Sequence, residues 1–459
     1  MAAVIELAPE LIASAIGVAE PPAELEDGSR PLRAVIDSRE VGPGDLFVGL
    51  PGEHVDGGVF ASQALERGAW AVIVGREHEA EIRRAAPGGR VFAVDDPLAA
   101  LQALARAWRR QLGCPTVGIT GSTGKTSVKD ICRAILPRRV QASPENFNTE
   151  IGLPLAILAA PPETEVLVME MAMRGIGQIA ELCGIAEPDV AAITNIGPVH
   201  LELLGTLEAI VEAKAEILRG LGRNGRAVIP ADEEALSPHL RDTLEVVTFG
   251  PGGDVFALSA RIEGGRTLAR VGTPHGEADF ELPFVEAHNL SNALCAISVG
   301  IALDLDVGEM AERAPGIGFS RLRGERIELP DRILLLNDCY NANPVSMRAA
   351  IGNLATEVPE GGRAVAVLGG MAELGPDHAR FHTDVGALAR DHGVDRLIGV
   401  GDLARDYSPD AWAPDADAAV ALVAGELQAG DVVLVKGSRS VGLERLTDGL
   451  VARLGGGGA

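Results

Sequence analysis

Between Gly118 and Ser127 the chain reads Gly-Ile-Thr-Gly-Ser-Thr-Gly-Lys-Thr-Ser, a set of residue types suited to holding phosphate. Glycines let backbone N–H groups close around phosphate oxygens at a helix N-terminus, Lys125 can reach the β- and γ-phosphates, and the Thr126 hydroxyl can hold Mg2+. The segment Gly121, Ser122, Thr123, Gly124, Lys125, Thr126 and Ser127 is therefore the candidate nucleotide loop. The usual pattern has glycine where Ile119 stands, whereas here glycines occupy 118, 121 and 124. The bland alternative is a glycine-rich turn that binds nothing. A Gly-Lys-Thr triplet between a β-branched run (Thr116 to Thr120) and a segment with helical apolar spacing (Ser127 to Leu136) favours the phosphate reading.

Three further residues could work beside such a loop. Glu170 ends the apolar run Glu165 to Met169, and a carboxylate at the carboxyl end of a parallel strand can serve a metal beside phosphates. On position alone, a solvated residue starting a loop is an equal alternative. His200 follows another strand end, at Ile193 to Val199; a lone histidine is more often a hydrogen-bonded structural residue than a ligand, and a place at the same sheet edge as Glu170 modestly raises the ligand reading. Lys214 lies three or four residues from Ile210, Val211, Ile217 and Leu218 and seven from Leu207 and Leu221, on the core-facing stripe of a helix. Glu208, Glu212 and Glu216 share a different face and cannot pair with it locally. A buried ammonium is costly unless paired or modified. On helix geometry, that reading and a lysine snorkelling from the rim of the stripe stand level.

Positioning these residues requires alternating strands and helices. Leu32 to Ile36 and Ala69 to Val74 read as strands of a small α/β unit, with turn signals between them, followed by an amphipathic helix from Leu101 to Leu112. Strands at 116–120, 165–169, 190–194 and 227–229 then alternate with helices at about 207–221 and 290–303, which implies a largely parallel sheet. A Gly-punctuated meander over about 248–282 is attached to it. Strands at 333–336, 363–368, 396–400 and 431–435 predict a second parallel α/β pattern, and Gly455 to Gly458 are expected to fray. At about 150 residues per domain the 459 residues suggest three units, 1–105, 106–317 and 318–459.

Composition fits a globular protein, with 47% hydrophobic and 23% charged residues. A formal charge of −25, from 65 acidic and 40 basic residues, argues against a nucleic-acid surface, so anionic ligands must be met by local sites. The five cysteines lack C-x-x-C spacing and predict buried free thiols in a reducing cytoplasm. No apolar run approaches the roughly 18 to 20 residues of a membrane span. Glu6 and Glu10 stand where a secretory signal would be basic and then apolar, so no such signal is expected.

Seven ordered segments resemble the Mur ligases, which extend the peptide of the bacterial cell-wall precursor. They are the loop 120–126, Asn146 to Gly152, Glu170-Met171, His200 to Glu202, Ala213 to Glu216, His288 to Ala293 and Tyr340 to Pro344, and they span nearly the whole chain. Asp37-Ser38-Arg39 with Gly44 to Phe47, Tyr340 to Met347, and Val435 to Ser440 resemble the branch that adds D-alanyl-D-alanine to UDP-N-acetylmuramoyl-tripeptide. The Asp-Asn-Pro-Arg typical of the diaminopimelate-adding branch does not occur.

The resemblance implies an α/β fold of three domains: a small UDP-sugar-binding domain, a central P-loop ATPase-like sheet, and a Rossmann-like C-terminal domain that takes the incoming dipeptide. It implies an ATP-dependent amide ligase with two Mg2+ ions and small-molecule substrates, acting as a cytoplasmic monomer. Lys125 would contact the ATP phosphates, Thr126 and Glu170 would hold the two Mg2+ ions with His200 nearby, and Lys214 matches a lysine that is carbamylated. Asn289 and Asn292 match positions near adenine, Arg323 a linker arginine that reaches the γ-phosphate, and Asp338 and Asn341 further nucleotide contacts. Ser38 and Arg39 match the uridine diphosphate end of the substrate site, and Asn146, Asn148 and Thr149 the muramoyl diphosphate region. Lys436, Ser438 and Arg439 would receive a carboxylate, or would form only a helix N-terminal turn. In Gly369 to Gly375 the chain has Gly370 where many relatives carry aspartate. The competing readings are another ligase of this fold, such as the diaminopimelate-adding enzyme or a folylpolyglutamate synthase, and a nucleotide-regulated binding protein without ligation.

Overall fold

The computed structural model describes residues 6–19, 22, 29–144, 146–199, 201–359 and 361–455. Its first sheet is β1 (Ala34–Val35), β2 (Leu46–Val48), β3 (Ala71–Gly75) and β4 (Val91–Val94), all parallel and in that spatial order. The apolar run at 69–74 is thus β3, and only two residues of 32–36 pair. The strands β2 and β4 were not distinguished from the turn-rich sequence around them.

The helix Pro97–Leu112 leads out of this sheet. The Asp96 carboxylate accepts from the N–H groups of Leu98 and Ala99, Pro97 occupies the first turn, and Gly113 closes the other end at φ +64°. Its apolar stripe, with Leu101, Leu104, Ala105 and Trp108, packs on both the first sheet and the next one, so their cores are continuous. Residue 105, the expected end of the first unit, lies within this helix.

The second sheet contains β5 (Thr116–Thr120), β6 (Val140–Ala142), β7 (Val166–Glu170), β8 (Val190–Ile193), β9 (Arg226–Pro230) and β10 (Glu245–Phe249), all parallel, in the order β10-β9-β8-β5-β7-β6. Connections from β5 run first to one side and then to the other. The carboxyl end of β5 is therefore a topological switch point, where an open α/β sheet leaves a crevice for a ligand. An antiparallel meander of β11 (Phe256–Glu263), β12 (Arg266–Thr273) and β13 (Gly276–Leu282) follows. It begins later than expected, because Thr248 and Phe249 belong to the parallel strand β10.

The last sheet is β14 (Glu325–Leu329), β15 (Ile333–Asn337), β16 (Ala364–Gly369), β17 (Arg396–Val400), β18 (Ala411–Ala413) and β19 (Val432–Lys436), in the order β14-β15-β19-β16-β17-β18. All pairings are parallel except the β14–β15 hairpin. Apolar clusters cover both of its faces. All five cysteines are buried free thiols. No helix among the described residues is long and apolar enough to cross a membrane. The helix Glu444–Gly455 ends the description, and residues 456–458 of the expected frayed tail lie outside it.

Trp108 joins the first two sheets, being almost fully buried and donating its indole N–H to Ala160 O at 3.0 Å. Trp108→Ala is expected to destabilise the chain by about 3 to 5 kcal/mol in denaturant unfolding. A loss under about 1 kcal/mol would show that the helix is not a shared core element.

Candidate active site

The loop after β5 turns into the helix Lys125–Ile135 with Gly124 at φ +79°. A Cβ at Gly124 would collide with Asn292 Oδ1, and one at Gly121 with Thr194 Oγ1, so both glycines are required by close neighbours. The loop is held from outside by the segment following β8. Ser122 Oγ donates to Gly197 O at 2.9 Å and accepts from Gly197 N–H at 2.8 Å. The Thr123 N–H donates to Asn195 Oδ1 at 3.0 Å, and Asn195 Nδ2 donates to Thr123 Oγ1 at 2.8 Å. The Thr194 hydroxyl donates to Thr123 O at 2.5 Å. Thr194 and Asn195 carried no role in the sequence reading, because their partners lie about 70 residues earlier.

β5 and β7 pair with Ile119 opposite Glu170, which brings Glu170 beside the loop. The Thr126 hydroxyl donates to Glu170 Oε2 at 2.7 Å and Asn148 Nδ2 donates to Glu170 Oε1 at 2.8 Å. Glu170 is buried, so the solvated-loop alternative for it is set aside. Two hard oxygen donors in contact, one of them a carboxylate, suit Mg2+. Lys125 Nζ donates to Gly121 O at 2.7 Å, folded over the loop. Burial lowers its pKa, Glu170 counters this, and Arg323 lowers it further. Those two cations face the same space.

Lys214 sits on the helix Leu207–Arg219, facing the sheet, and is only 2% exposed. Snorkelling is therefore excluded. Burial pushes its pKa well below the ordinary lysine value, and the nearby Lys125 charge pushes the same way. The neighbouring Glu216 is spent elsewhere, accepting from the N–H groups of Gly177 and Ala180 at 2.6 and 3.0 Å. His200, expected close to this group, lies outside the described residues.

A cavity of about 860 Å³ opens over the loop and is lined from both the second and the last sheet. Ser122 to Ser127, Asn146, Asn148, Thr149, Glu170, Asn289 and Asn292 line one wall, and Arg323, Asp338, Asn341, Lys436, Ser438 and Arg439 the other. Asn292 Nδ2 donates to Asn289 Oδ1 at 3.1 Å, and Asn289 Nδ2 to Glu286 Oε2 at 3.3 Å, an amide ladder close to the loop. The Arg323 guanidinium stacks on the Tyr340 ring at 4.0 Å. His288 also lines the cavity, and burial lowers its pKa against the opposing pull of Asp338 and Glu286.

Lys436 is arranged differently from a free carboxylate receptor. It is buried, and its ammonium donates to Asp338 Oδ2 at 2.6 Å and to Asn341 O at 3.0 Å, so it fixes the loop that follows β15. Ser438 Oγ accepts from Ala372 N–H at 2.8 Å. Arg439 is half-exposed beside Glu444 at 3.3 Å. Ser38 and Arg39 lie beyond β1 and do not line this cavity. There the Arg39 guanidinium pairs with Asp37, holding that carboxyl at about 2, and Arg67 Nη1 donates to Ser38 O at 2.7 Å. Gly370 has a packing reason, since a Cβ there would lie 2.8 Å from Leu403 Cβ.

A phosphate loop at a sheet switch point, facing a second α/β layer across one cavity, defines a nucleotide-dependent enzyme class. Three family models match in succession: the Mur ligase family catalytic domain over 34–109, the Mur ligase middle domain over 119–300, and the Mur ligase glutamate ligase domain over 322–439. The chain belongs to the Mur ligase family. It is 36% identical over 431 residues to the UDP-N-acetylmuramoyl-tripeptide–D-alanyl-D-alanine ligase of Bacillus subtilis (strain 168), covering 90% of this chain and 92% of that protein. Among solved structures it resembles MurF from Acinetobacter baumannii, with TM-score 0.85, 27% identity, and 97% and 98% of the two chains covered. It also resembles MurF ligase from Thermotoga maritima in complex with ADP, with TM-score 0.81, 32% identity, and 92% and 98% covered.

The depressed Lys214 pKa has a consequence for stability. The unfolded chain binds that proton more tightly, so this group's contribution raises stability with increasing pH, from the folded pKa up to the ordinary lysine range. In metal-free, CO2-depleted buffer, Lys214→Met is expected to raise the unfolding free energy by about 1 kcal/mol or more and to flatten that pH dependence. A destabilised variant with an unchanged pH profile would contradict a buried lysine whose charged form is disfavoured.

Proposed function

We propose that this chain is an ATP-dependent ligase that joins D-alanyl-D-alanine to UDP-N-acetylmuramoyl-tripeptide, giving the pentapeptide precursor of peptidoglycan, ADP and phosphate. The observation that carries this reading is the single cavity in which the loop residues Ser122 to Ser127, the Thr126–Glu170 pair and Arg323 converge, in a chain similar to such ligases along almost its full length. The units 1–105, 106–317 and 318–459 hold the UDP-sugar, ATP and the dipeptide respectively, with Ser38 and Arg39 at the uridine diphosphate end. Asn146, Asn148 and Thr149 face the muramoyl diphosphate region, and Asn289 and Asn292 the adenine. The chain acts as a cytoplasmic monomer.

A carboxylate is a poor electrophile, and two anions repel as it approaches ATP. Lys125 and Arg323 hold the terminal phosphate from two sides, which places positive charge where negative charge gathers. An oxygen of the tripeptide carboxylate attacks the γ-phosphorus and ADP leaves. The dipeptide amine then attacks the acyl carbon, loses a proton, and expels phosphate as the amide forms. Asp338, held by Lys436, orients the nucleotide with Asn341, while Ser438 and Arg439 face the dipeptide carboxylate. Approach of the last sheet excludes water that would hydrolyse the acyl phosphate.

Thr126 Oγ1 and Glu170 are the donors that would hold Mg2+, with His200 and a carbamylated Lys214 at a second ion. Bound there, Mg2+ supplies charge neutralisation to the phosphates. Burial disfavours the ammonium form of Lys214 and favours the free amine, the form that reacts with CO2, and carbamylation would turn that amine into an anion suited to metal.

The direct test is phosphate release from ATP and Mg2+ with UDP-N-acetylmuramoyl-tripeptide, adding D-alanyl-D-alanine or single amino acids. Release that requires the dipeptide, with pentapeptide product by mass, is expected. Release with diaminopimelate or glutamate instead would move the chain to another branch, and none with any amine would favour a binding protein. In the same assay Lys125→Ala is expected to lower turnover by about a thousandfold or more. Lys214→Ala should fall comparably and recover in part with added formate or acetate, whereas unimpaired turnover would remove the carbamate role.

A further inference from the structure

The two walls of the cavity are connected through the segment 317–324, and that segment is anchored to the nucleotide loop's own helix. Ser320 precedes Arg323 by three residues, and both its backbone N–H and its hydroxyl donate to Asp130 Oδ2, at 2.8 and 2.7 Å. Asp130 is fully buried on the helix Lys125–Ile135, whose first turn carries Lys125 and Thr126. Two bonds to one oxygen, one of them from the main chain, set the direction of the backbone at 320 as well as its distance.

The rest of the carboxylate connects back to the site. Asp130 Oδ1 has no hydrogen-bond donor and faces Lys129 Nζ at 3.3 Å, with Arg133 farther off at 3.8 Å. Lys129, itself buried, donates to Ser143 O at 3.0 Å, and Ser143 Oγ accepts from the Glu170 N–H at 3.1 Å. A buried polar chain thus runs from Glu170 through Ser143, Lys129 and Asp130 to Ser320. Burying two charges with one oxygen left without a hydrogen bond is a poor way to gain stability. At the far end Arg323, stacked on Tyr340, faces the space over Lys125. Two cations directed at one space require an anion between them.

We infer that Asp130 is a positioning residue: through Ser320 it aims the linker so that Arg323 meets the terminal phosphate, making the site select a nucleoside triphosphate over a diphosphate. The inference rests on the ATP reading above but not on the identity of the amine acceptor. Asp130 touches neither substrate nor metal in this scheme, and its effect passes through Arg323.

Calorimetric titration of the full chain with ADP and with the β,γ-imido analogue of ATP tests it, using wild type, Ser320→Ala, Ser320→Thr, Asp130→Asn, Arg323→Ala and the Ser320→Ala/Arg323→Ala double variant. Ser320→Ala and Asp130→Asn are expected to lose about tenfold in preference for the triphosphate, with ADP affinity unchanged. Ser320→Thr should retain the preference, and Ser320→Ala should add nothing once Arg323 is removed. Equal weakening toward both nucleotides, an unchanged preference in Ser320→Ala, or additive losses in the double variant would overturn the inference. If Asp130→Asn fails to fold, the Ser320 variants decide the question. Absence of dipeptide-dependent phosphate release from wild type would instead count against the acceptor assignment, a separate outcome.

Discussion

The controlling constraint is electrostatic: a polyanionic nucleotide and a carboxylate must meet on a chain with a formal charge of −25. Surface potential cannot gather such ligands, so attraction has to come from a few charges removed from water, where they are weakly screened. Lys125, Lys214, Lys129 and Lys436 are all buried or folded over, and Arg323 faces the same cavity. Each of these lysine amines is tied to a carboxylate or a carbonyl except that of Lys214, which has no counter-charge among the described residues and whose charged form burial disfavours. The backbone contributes the rest, through N–H groups of a loop that closes only because Gly121 and Gly124 carry no side chain.

Residues whose signal is local were legible in the sequence. The Gly-Lys-Thr triplet announces its own strand-to-helix turn, and Lys214 stands out because a charged residue interrupts an apolar helical stripe. Five- and six-residue parallel strands buried on both faces, such as β5, β7 and β16, also read clearly as continuous apolar runs, whereas the equally buried but shorter β2 and β4 did not stand out from the turns around them. The short edge strands β6, β14 and β18 were lost because partial exposure leaves no clean period in three to five residues. Polar partners far apart in sequence were not legible either. Nothing around Asn195 signals Thr123, and nothing around Ser320 signals Asp130, 190 residues earlier.

Resemblance named candidate residues but could not say how their charges are spent. Lys436, read as a receptor for a carboxylate, is occupied by Asp338 and Asn341. Ser38 and Arg39 lie apart from the cavity, so a substrate touching both them and the loop must be extended, as a UDP-sugar peptide is. Gly370 in place of aspartate goes with Leu403 packed where a side chain would begin, and the neighbouring Gly370 O still accepts from Ser438 N–H at 3.0 Å. The turn therefore keeps its shape without that carboxylate.

Isotope transfer bears most directly on the chemistry proposed for this cavity. With 18O in the terminal carboxylate of the UDP-N-acetylmuramoyl-tripeptide, a single turnover through an acyl phosphate must leave one 18O in the released phosphate. Phosphate carrying that label, seen by mass or by the 31P shift, is the expected result. Unlabelled phosphate alongside amide product would contradict attack of the carboxylate on the γ-phosphorus, and with it the roles assigned to Lys125 and Arg323.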